Sequence, residues 1–188
     1  TIRADIALYS IDLSIAGVAE TLLNSGTVDG GVWMADGNDV VTNTGTMSGR
    51  TLLGTGDDTY DGRGGRHFGS AEGGNGQDTV LGGSGEENLF GDAGDDIVSG
   101  GGGDDYIEGG IGSDELDGGT GFDIVSYLGS PLAVVADMEA GVATTLQDTD
   151  GIAGFEQFVG SRGNAIIRGR AVADVLVGFK GKDLLEGR

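Results

Sequence analysis

Residues 73–126 read GGNGQDTVL GGSGEENLF GDAGDDIVS GGGGDDYIE GGIGSDELD GGTGFDIVS, six nonapeptides without a gap. Positions 1 and 4 are always glycine, position 6 is always acidic and position 8 is always aliphatic. The position-6 acids are Asp78, Glu87, Asp96, Asp105, Asp114 and Asp123. So many matches in register indicate an internal repeat, and a short period is typical of a solenoid whose coils stack on copies of themselves.

Each nonapeptide combines a glycine-rich turn with a short strand that has one apolar face. A strand this short cannot bury its apolar face alone, so the copies must stack. Two nonapeptides then make one coil, and neighbouring coils lie about 4.8 Å apart, as hydrogen-bonded strands do. The repeat therefore predicts an all-β fold, a parallel β-roll with two sheets and aliphatic side chains between them.

The remaining residues divide around this repeat. Residues 24–42 align with 43–61 at a shift of 19, which predicts 19-residue coils over 1–61, whereas 62–72 are two residues longer than a nonapeptide. Residues 127–150 form a non-repeat insert, and degenerate nonapeptides follow over 151–188. We expect one β-roll solenoid over 1–188. Because the sequence begins at Thr1 with no signal peptide and stops at Arg188 directly after a repeat-like stretch, we expect a fragment of a longer secreted protein.

The composition excludes several classes of protein. The chain has 31 acidic and 10 basic residues, a net charge of −21, 41 glycines and no cysteine. A disulfide framework and a cysteine-ligated zinc site are therefore excluded. A chain this acidic repels phosphate backbones and anionic membranes, and no run of 18 apolar residues is present, so neither nucleic acid nor membrane insertion is expected.

The position-6 acids fall into two columns, because turns on the same edge of a roll recur every second nonapeptide. The first acid column is Glu20, Asp39, Asp58, Asp78, Asp96 and Asp114. The second acid column is Asp29, Ser48, His67, Glu87, Asp105 and Asp123.

Two carboxylates about 4.8 Å apart repel by about 1 to 3.5 kcal/mol at effective dielectric constants of 80 to 20. The alternative is that Asp and Gly only form solvated turns, but an unrelieved column of acids favours a bound cation. Oxygen ligands alone suit calcium.

The pattern GGxGxDxUx resembles the calcium-binding nonapeptide of the RTX (hemolysin-type) family. The resemblance implies a right-handed β-roll in which each ion lies between turns one coil apart. It also implies that the ligands are position-6 carboxylates and turn carbonyls. The implied carboxylate ligands are Asp39, Asp58, Asp78, Glu87, Asp96, Asp105, Asp114 and Asp123. The implied carbonyl ligands are those of Gly73, Asn75, Gly82, Gly91, Ala93, Gly100, Gly102, Gly109, Ile111 and Gly118.

The columns predict about six calcium ions, which would cancel about 12 of the negative charges. The expected sites lie between Asp39 and Asp58, Asp58 and Asp78, Asp78 and Asp96, Asp96 and Asp114, Asp105 and Asp123, and Glu87 and Asp105. Glu87 is one methylene longer than the turn expects. A site between Glu156 and Asp174 is doubtful. A site between Ala165 and Asp183 is expected to be empty or to bind weakly.

The resemblance implies a calcium-binding structural module of a protein that a Gram-negative bacterium secretes by the type I route, with folding on calcium outside the cell. The alternatives are a non-catalytic adhesion or polysaccharide-binding module with a glycan or cell-surface partner, and an accessory domain of a secreted hydrolase or lyase. No HExxH or Gly-x-Ser-x-Gly motif is present, so we expect no catalysis. The expected partners are calcium ions and the rest of the parent chain.

Overall fold

The computed structural model describes residues 2–4, 7–8, 10–13 and 17–187. These residues form strands and turns only, arranged as a parallel β-solenoid of about nine coils, which confirms the predicted fold class. No helix that could cross a membrane occurs in this described part of the chain.

The strands are short and follow one another closely. In chain order they are β1 (Ile2–Ala4), β2 (Ala7–Leu8), β3 (Ile11–Asp12), β4 (Thr21–Asn24), β5 (Thr27–Val28), β6 (Val32–Asp36), β7 (Val40–Asn43), β8 (Thr46–Met47), β9 (Thr51–Thr55), β10 (Thr59–Asp61), β11 (Arg66–His67), β12 (Ser70–Asn75), β13 (Thr79–Leu81), β14 (Asn88–Ala93), β15 (Ile97–Gly102), β16 (Tyr106–Ile111), β17 (Glu115–Thr120), β18 (Ile124–Ser126), β19 (Val135–Asp137), β20 (Val142–Thr144), β21 (Thr149–Ala153), β22 (Gln157–Val159), β23 (Ile166–Arg168), β24 (Val175–Val177) and β25 (Leu184–Glu186).

The strands form three sheets. The 12-stranded sheet has the order β1-β4-β7-β10-β13-β15-β17-β21-β20-β19-β23-β25, and the nine-stranded sheet has the order β3-β6-β9-β12-β14-β16-β18-β22-β24. A third sheet of four strands, β2-β5-β8-β11, adds a side to the first coils. The prediction of two sheets is therefore incomplete, because the longer coils at the N-terminal end have room for a third strand.

The core lies between the sheets and consists of the position-8 side chains. Val80 pairs with Val98 and Val98 with Leu116 in the 12-stranded sheet, at a register shift of 18 residues. The matching column in the nine-stranded sheet is Leu89, Ile107 and Val125. All six are fully buried, and burial of each such side chain stabilises the fold by about 1.5–3 kcal/mol.

In the N-terminal coils the register shift is 19 residues, and two buried amides line the inside of the added turn. The Asn24 side-chain amide donates to Asn43 Oδ1 at 2.8 Å, and each Asn Oδ1 accepts the backbone N–H two residues later. The Asn43 amide donates to the carbonyl of Arg66. These amide side chains provide hydrogen-bond partners for the backbone of the extra turn, because that backbone is buried away from water.

The fourth coil is one residue longer, and this changes the position of His67. The register pairs His67 with Met47, so His67 points into the core and does not continue the second acid column after Ser48. Its Nε2 donates to the carbonyl of Gly49 at 2.7 Å, and its Nδ1 accepts from the Tyr60 hydroxyl at 3.0 Å. The alignment of His67 with the acids was wrong because the extra residue lies before it in the coil.

The insert at 127–150 is part of the roll. Strand β19 runs antiparallel to β20, and β20 runs antiparallel to β21, so the chain turns back twice within the 12-stranded sheet. Strand β21 then pairs in parallel with β17, and β19 pairs in parallel with β23. The nine-stranded sheet has only β22 between β18 and β24 over the same stretch.

Candidate metal centres

Most acids of the two columns accept a hydrogen bond from the coil before them. In the first column, the backbone N–H of Asp58 donates to Asp78 Oδ1 at 2.8 Å, and that of Asp78 donates to Asp96 Oδ1 at 2.8 Å. The same bond joins Glu20 to Asp39, Asp39 to Asp58, and Asp96 to Asp114. In the second column it joins Glu87 to Asp105, Asp105 to Asp123, and Asp123 to Glu156. The bond fixes the carboxylates at the same place in successive coils.

The second carboxylate oxygen of most of these acids is buried and has no hydrogen-bond partner. These oxygens are Oδ2 of Asp39, Asp58, Asp78, Asp96, Asp105, Asp114 and Asp123, together with both carboxylate oxygens of Glu20. A buried polar atom without a partner costs about 1–3 kcal/mol, and more when it is charged. Such a series requires a cation or a proton at each carboxylate.

Beside position-1 glycines such as Gly91, a backbone carbonyl of the next coil lies close to the unpartnered carboxylate oxygen. A Cβ placed on Gly91 would lie 2.5 Å from Asp96 Oδ2 and 2.5 Å from the carbonyl oxygen of Gly109. On Gly73 it would lie 2.5 Å from Asp78 Oδ2 and 2.7 Å from the carbonyl oxygen of Gly91. The two oxygens therefore converge from adjacent coils with no donor between them, and only a residue without Cβ leaves that space open.

The same convergence recurs along the second column with one variation. At Gly100, Asp105 Oδ2 meets the carbonyl oxygen of Gly118. At Gly82 the carboxylate is that of Glu87, whose Oε2 already accepts the backbone N–H of Gly83 at 3.2 Å. The longer Glu87 side chain thus bonds within its own turn.

The remaining sequence-predicted carbonyls lie in the same turns. Gly109 lies against Asp114 Oδ2, and Gly118 lies against the Asp123 side chain and the carbonyl oxygen of Gly154. The position-3 carbonyls of Asn75, Ala93 and Ile111 each accept one backbone hydrogen bond at 2.8 Å. A carbonyl oxygen has two lone pairs, so each keeps one free for a cation. Gly102 lies at position 3 of the turn that carries Asp105.

The N-terminal turns differ from the nonapeptide turns at position 1. Asp39 and Asp58 lie in the column with unpartnered Oδ2 atoms, but their position-1 residues are Met34 and Leu53, both fully buried. An apolar side chain therefore starts where the nonapeptides have an open space. The turns of these two acids therefore lack the open space that lies beside Asp78 and Asp96.

Burial dominates the electrostatics of the columns. It raises the pKa of Asp58, Asp105 and Asp114 to about 7, and that of Asp78 and Asp96 to about 6. Carboxylates nearby raise the pKa of these groups further, whereas the N–H bond from the preceding coil lowers it. Protons therefore compete with a cation for these oxygens near neutral pH.

The insert supplies an acid that sequence reasoning missed. Asp150 Oδ1 accepts the backbone N–H of Asp114 at 3.0 Å, so Asp150 extends the first column. Its Oδ2 accepts the Tyr127 hydroxyl at 2.6 Å, so this carboxylate leaves no oxygen unpartnered. The spacing from Asp114 is 36 residues, four nonapeptides, which was a signal in the sequence.

The last coils carry fewer acids. The backbone N–H of Ala165 donates to Asp183 Oδ1 at 2.8 Å, which is the column hydrogen bond with an alanine in place of the first acid. Asp174 instead binds Arg170. Across the described residues, no three His, Cys, Asp or Glu side chains form a group that could hold a metal ion by themselves. A cation in these columns would depend mainly on backbone carbonyls.

Comparison with known families identifies the repeat. A family model described as the RTX calcium-binding nonapeptide repeat (4 copies) matches residues 70–87, 90–125 and 151–188. This confirms the resemblance, and calcium is the ion that this repeat binds. No curated protein matches the chain.

Substituting Gly91 by alanine should damage one site specifically. The new Cβ would push Asp96 Oδ2 and the Gly109 carbonyl apart, and losing a charge-assisted ligand costs about 1.5–3 kcal/mol, so the calcium midpoint should rise by about tenfold or more. The measurement is calcium binding by isothermal titration. Gly151→Ala is the control, because its Cβ would meet nothing closer than the Asp114 carbonyl at 4.0 Å. Equal titrations of the two variants would contradict the assignment.

The raised pKa values predict opposite pH dependences with and without calcium. In the ion-free chain a carboxyl with a folded pKa of about 6 to 7 and an unfolded pKa of about 3.9 stabilises the fold at low pH, and this contribution is lost as the pH rises through 6 to 7. Calcium affinity should instead rise with pH, by about tenfold per unit for each proton displaced. Circular dichroism and calcium titration at pH 5 to 8 measure both, and a calcium affinity that is flat or falls with pH would refute the prediction.

Proposed function

Because the chain belongs to the RTX calcium-binding nonapeptide repeat family, we propose that it is a calcium-binding structural module that folds outside the cell. The observation that carries this proposal is the series of buried, unpartnered carboxylate oxygens, each beside a backbone carbonyl of the next coil. Neither solvated turns nor a metal-independent core explains why these oxygens are withdrawn from water without a donor.

The residues that would hold the ions are those at the edge of the nonapeptide turns. Asp78 with the Gly91 carbonyl, Asp96 with the Gly109 carbonyl, and Asp105 with the Gly118 carbonyl form the best-defined sets. Calcium, when bound, supplies a double positive charge and accepts six to eight oxygen ligands at about 2.3–2.6 Å. The proposed number of ions is about six, with those at Asp39 and Asp58 the weakest because Met34 and Leu53 lie beneath them.

The same residues oppose folding when no ion is bound. The net charge is −21, and each column brings carboxylates together at one coil spacing. The 41 glycines add conformational entropy to the unfolded chain. The carboxylates and carbonyls therefore convert ion binding into folding, as in other metal-dependent modules.

This coupling fits a protein that is exported unfolded. Extracellular calcium modules are tuned to concentrations near 10⁻⁴–10⁻³ M, far above those in the cytosol. We propose that the chain stays unfolded in the cell, is secreted by the type I route that the family implies, and folds where calcium is abundant. We therefore propose a secreted or cell-surface location, as the family implies.

We further propose that this module is not itself catalytic. Its repeat forms a structural calcium-binding fold, and most of its buried acids serve the columns. The single histidine is buried, has both ring nitrogens hydrogen-bonded and has a pKa lowered by burial, so it is poorly placed for proton transfer. An adhesive or enzymatic activity would then belong to other parts of the parent protein.

Calcium titration of the ion-free chain tests the proposal. Far-UV circular dichroism should show a cooperative gain of β signal with calcium and little with magnesium, which keeps its waters. Asp96→Asn should raise the calcium midpoint by roughly tenfold, since it removes one charge-assisted ligand. Glu115→Gln, which removes an exposed charge, should titrate like the wild type. A spectrum that is already folded without calcium and does not respond to it would overturn the proposal.

A further inference from the structure

The repeat at 169–177 has an arginine where the uninterrupted repeats have glycine or aspartate. Arg170 is at position 2 of GRAVADVLV, and the corresponding residues of the six uninterrupted repeats are Gly74, Gly83, Asp92, Gly101, Gly110 and Gly119. A long cationic side chain at this position begins next to the acidic turn. It is therefore able to reach the place where the other turns have unpartnered oxygens.

The Arg170 guanidinium binds the oxygens of two adjacent coils. Its Nη2 donates to Asp174 Oδ1 at 2.7 Å and to the carbonyl oxygen of Phe155 at 2.5 Å, and its Nε donates to Asp174 Oδ1 at 3.0 Å. Nη2 also lies 3.6 Å from Glu156 Oε1. The backbone N–H of Arg170 donates to Asp174 Oδ2. One cation thus contacts two carboxylates and a backbone carbonyl, the same kinds of ligand that the other turns present.

Asp174 consequently differs from the acids of the uninterrupted repeats. Its side chain is only 4% exposed, yet both of its oxygens have donors, whereas Asp105 and Asp123 each have an unpartnered Oδ2. The hydrogen bond between column acids also changes here. The backbone N–H of Glu156 donates to the carbonyl of Asp123 and not to Asp174, the acid of the next coil. Strand pairing continues, since the backbone N–H of Val175 donates to the carbonyl of Glu156 at 2.8 Å.

We propose that the Arg170 guanidinium is a resident cation that replaces calcium between Glu156 and Asp174. A calcium ion does not fit there, because the guanidinium already fills the space between the coils and uses the oxygens that would bind it. The family model covers this segment as calcium-binding repeats, but this pair of turns is joined without an ion. In the folded chain, the C-terminal end of the second column is therefore held by Arg170 and needs no calcium ion of its own.

The inference rests on the proposed function in one respect: the other acid pairs are taken to bind calcium. Two substitutions test it. Arg170→Ala should add one calcium ion per chain to the stoichiometry measured by isothermal titration, because Glu156, Asp174 and the Phe155 carbonyl are released. Arg168→Ala is the matched control: Arg168 pairs with Glu186 on the surface, outside the column, and its loss should leave the stoichiometry unchanged. An Arg170→Ala stoichiometry equal to that of the wild type would overturn the proposal.

Asp174→Asn keeps the test decisive if the Arg170 variant folds poorly. This variant should bind as many ions as the wild type, whereas Asp105→Asn should bind fewer. A lower stoichiometry for Asp174→Asn would show that Asp174 is a calcium ligand and would overturn the proposal.

Hydrogen exchange separates this inference from the proposed function. At a calcium concentration just sufficient to fold the chain, the Val175 amide should be protected in the wild type and in Arg168→Ala but much less in Arg170→Ala, and more calcium should restore the protection in Arg170→Ala. If the wild type binds no calcium, the proposed function fails, and the comparison of the two arginine variants in chelator still decides the role of Arg170. Equal protection in both variants would overturn it.

Discussion

The structure depends on one arrangement, repeated along two edges: a buried carboxylate with one oxygen bonded to the previous coil and the other without a donor. The first oxygen fixes the coil spacing, as the bond from Asp78 to Asp96 does. The second, such as Asp96 Oδ2, makes the stacked state unfavourable unless a proton or a cation binds it. The fold therefore contains its own requirement for positive charge.

Other features of the chain follow from this requirement. The position-1 glycine is needed because a Cβ would occupy the point where Asp96 Oδ2 and the Gly109 carbonyl converge. The series of buried, unpartnered oxygens stops where the chain supplies its own donor: the Tyr127 hydroxyl on Asp150 in the first column, and the Arg170 guanidinium on Asp174 in the second. The uninterrupted repeats lie between these ends and the N-terminal coils, where Met34 and Leu53 replace the glycine.

The regular part of this architecture could be predicted from the sequence, and the irregular part could not. A nine-residue period with an aliphatic residue at position 8 leaves only one way to bury Leu89 and Val98, so the parallel solenoid was predicted correctly. The third sheet was missed, because short segments such as Thr27–Val28 carry too few residues to show a strand pattern. His67 was placed one position away from its true partner, since the extra length of 62–72 was visible in the sequence but the point at which it shifts the register was not.

The candidate sites show the same division. The acid columns follow from spacing alone, but the end of each column depends on a side chain that reaches across coils. Asp150 belongs to the first column because β21 pairs in parallel with β17, after an insert that a search for consecutive nonapeptides does not follow. Arg170 resembles any other basic residue in a degenerate repeat until its contact with the Phe155 carbonyl is seen.

The most direct test of the central claim is anomalous diffraction from crystals of the chain grown in calcium. The account predicts anomalous peaks about 2.3–2.6 Å from Oδ2 of Asp78, Asp96 and Asp105, and no peak between Glu156 and Asp174. Acid columns without such peaks, in which the same Oδ2 atoms contact only water, would contradict it.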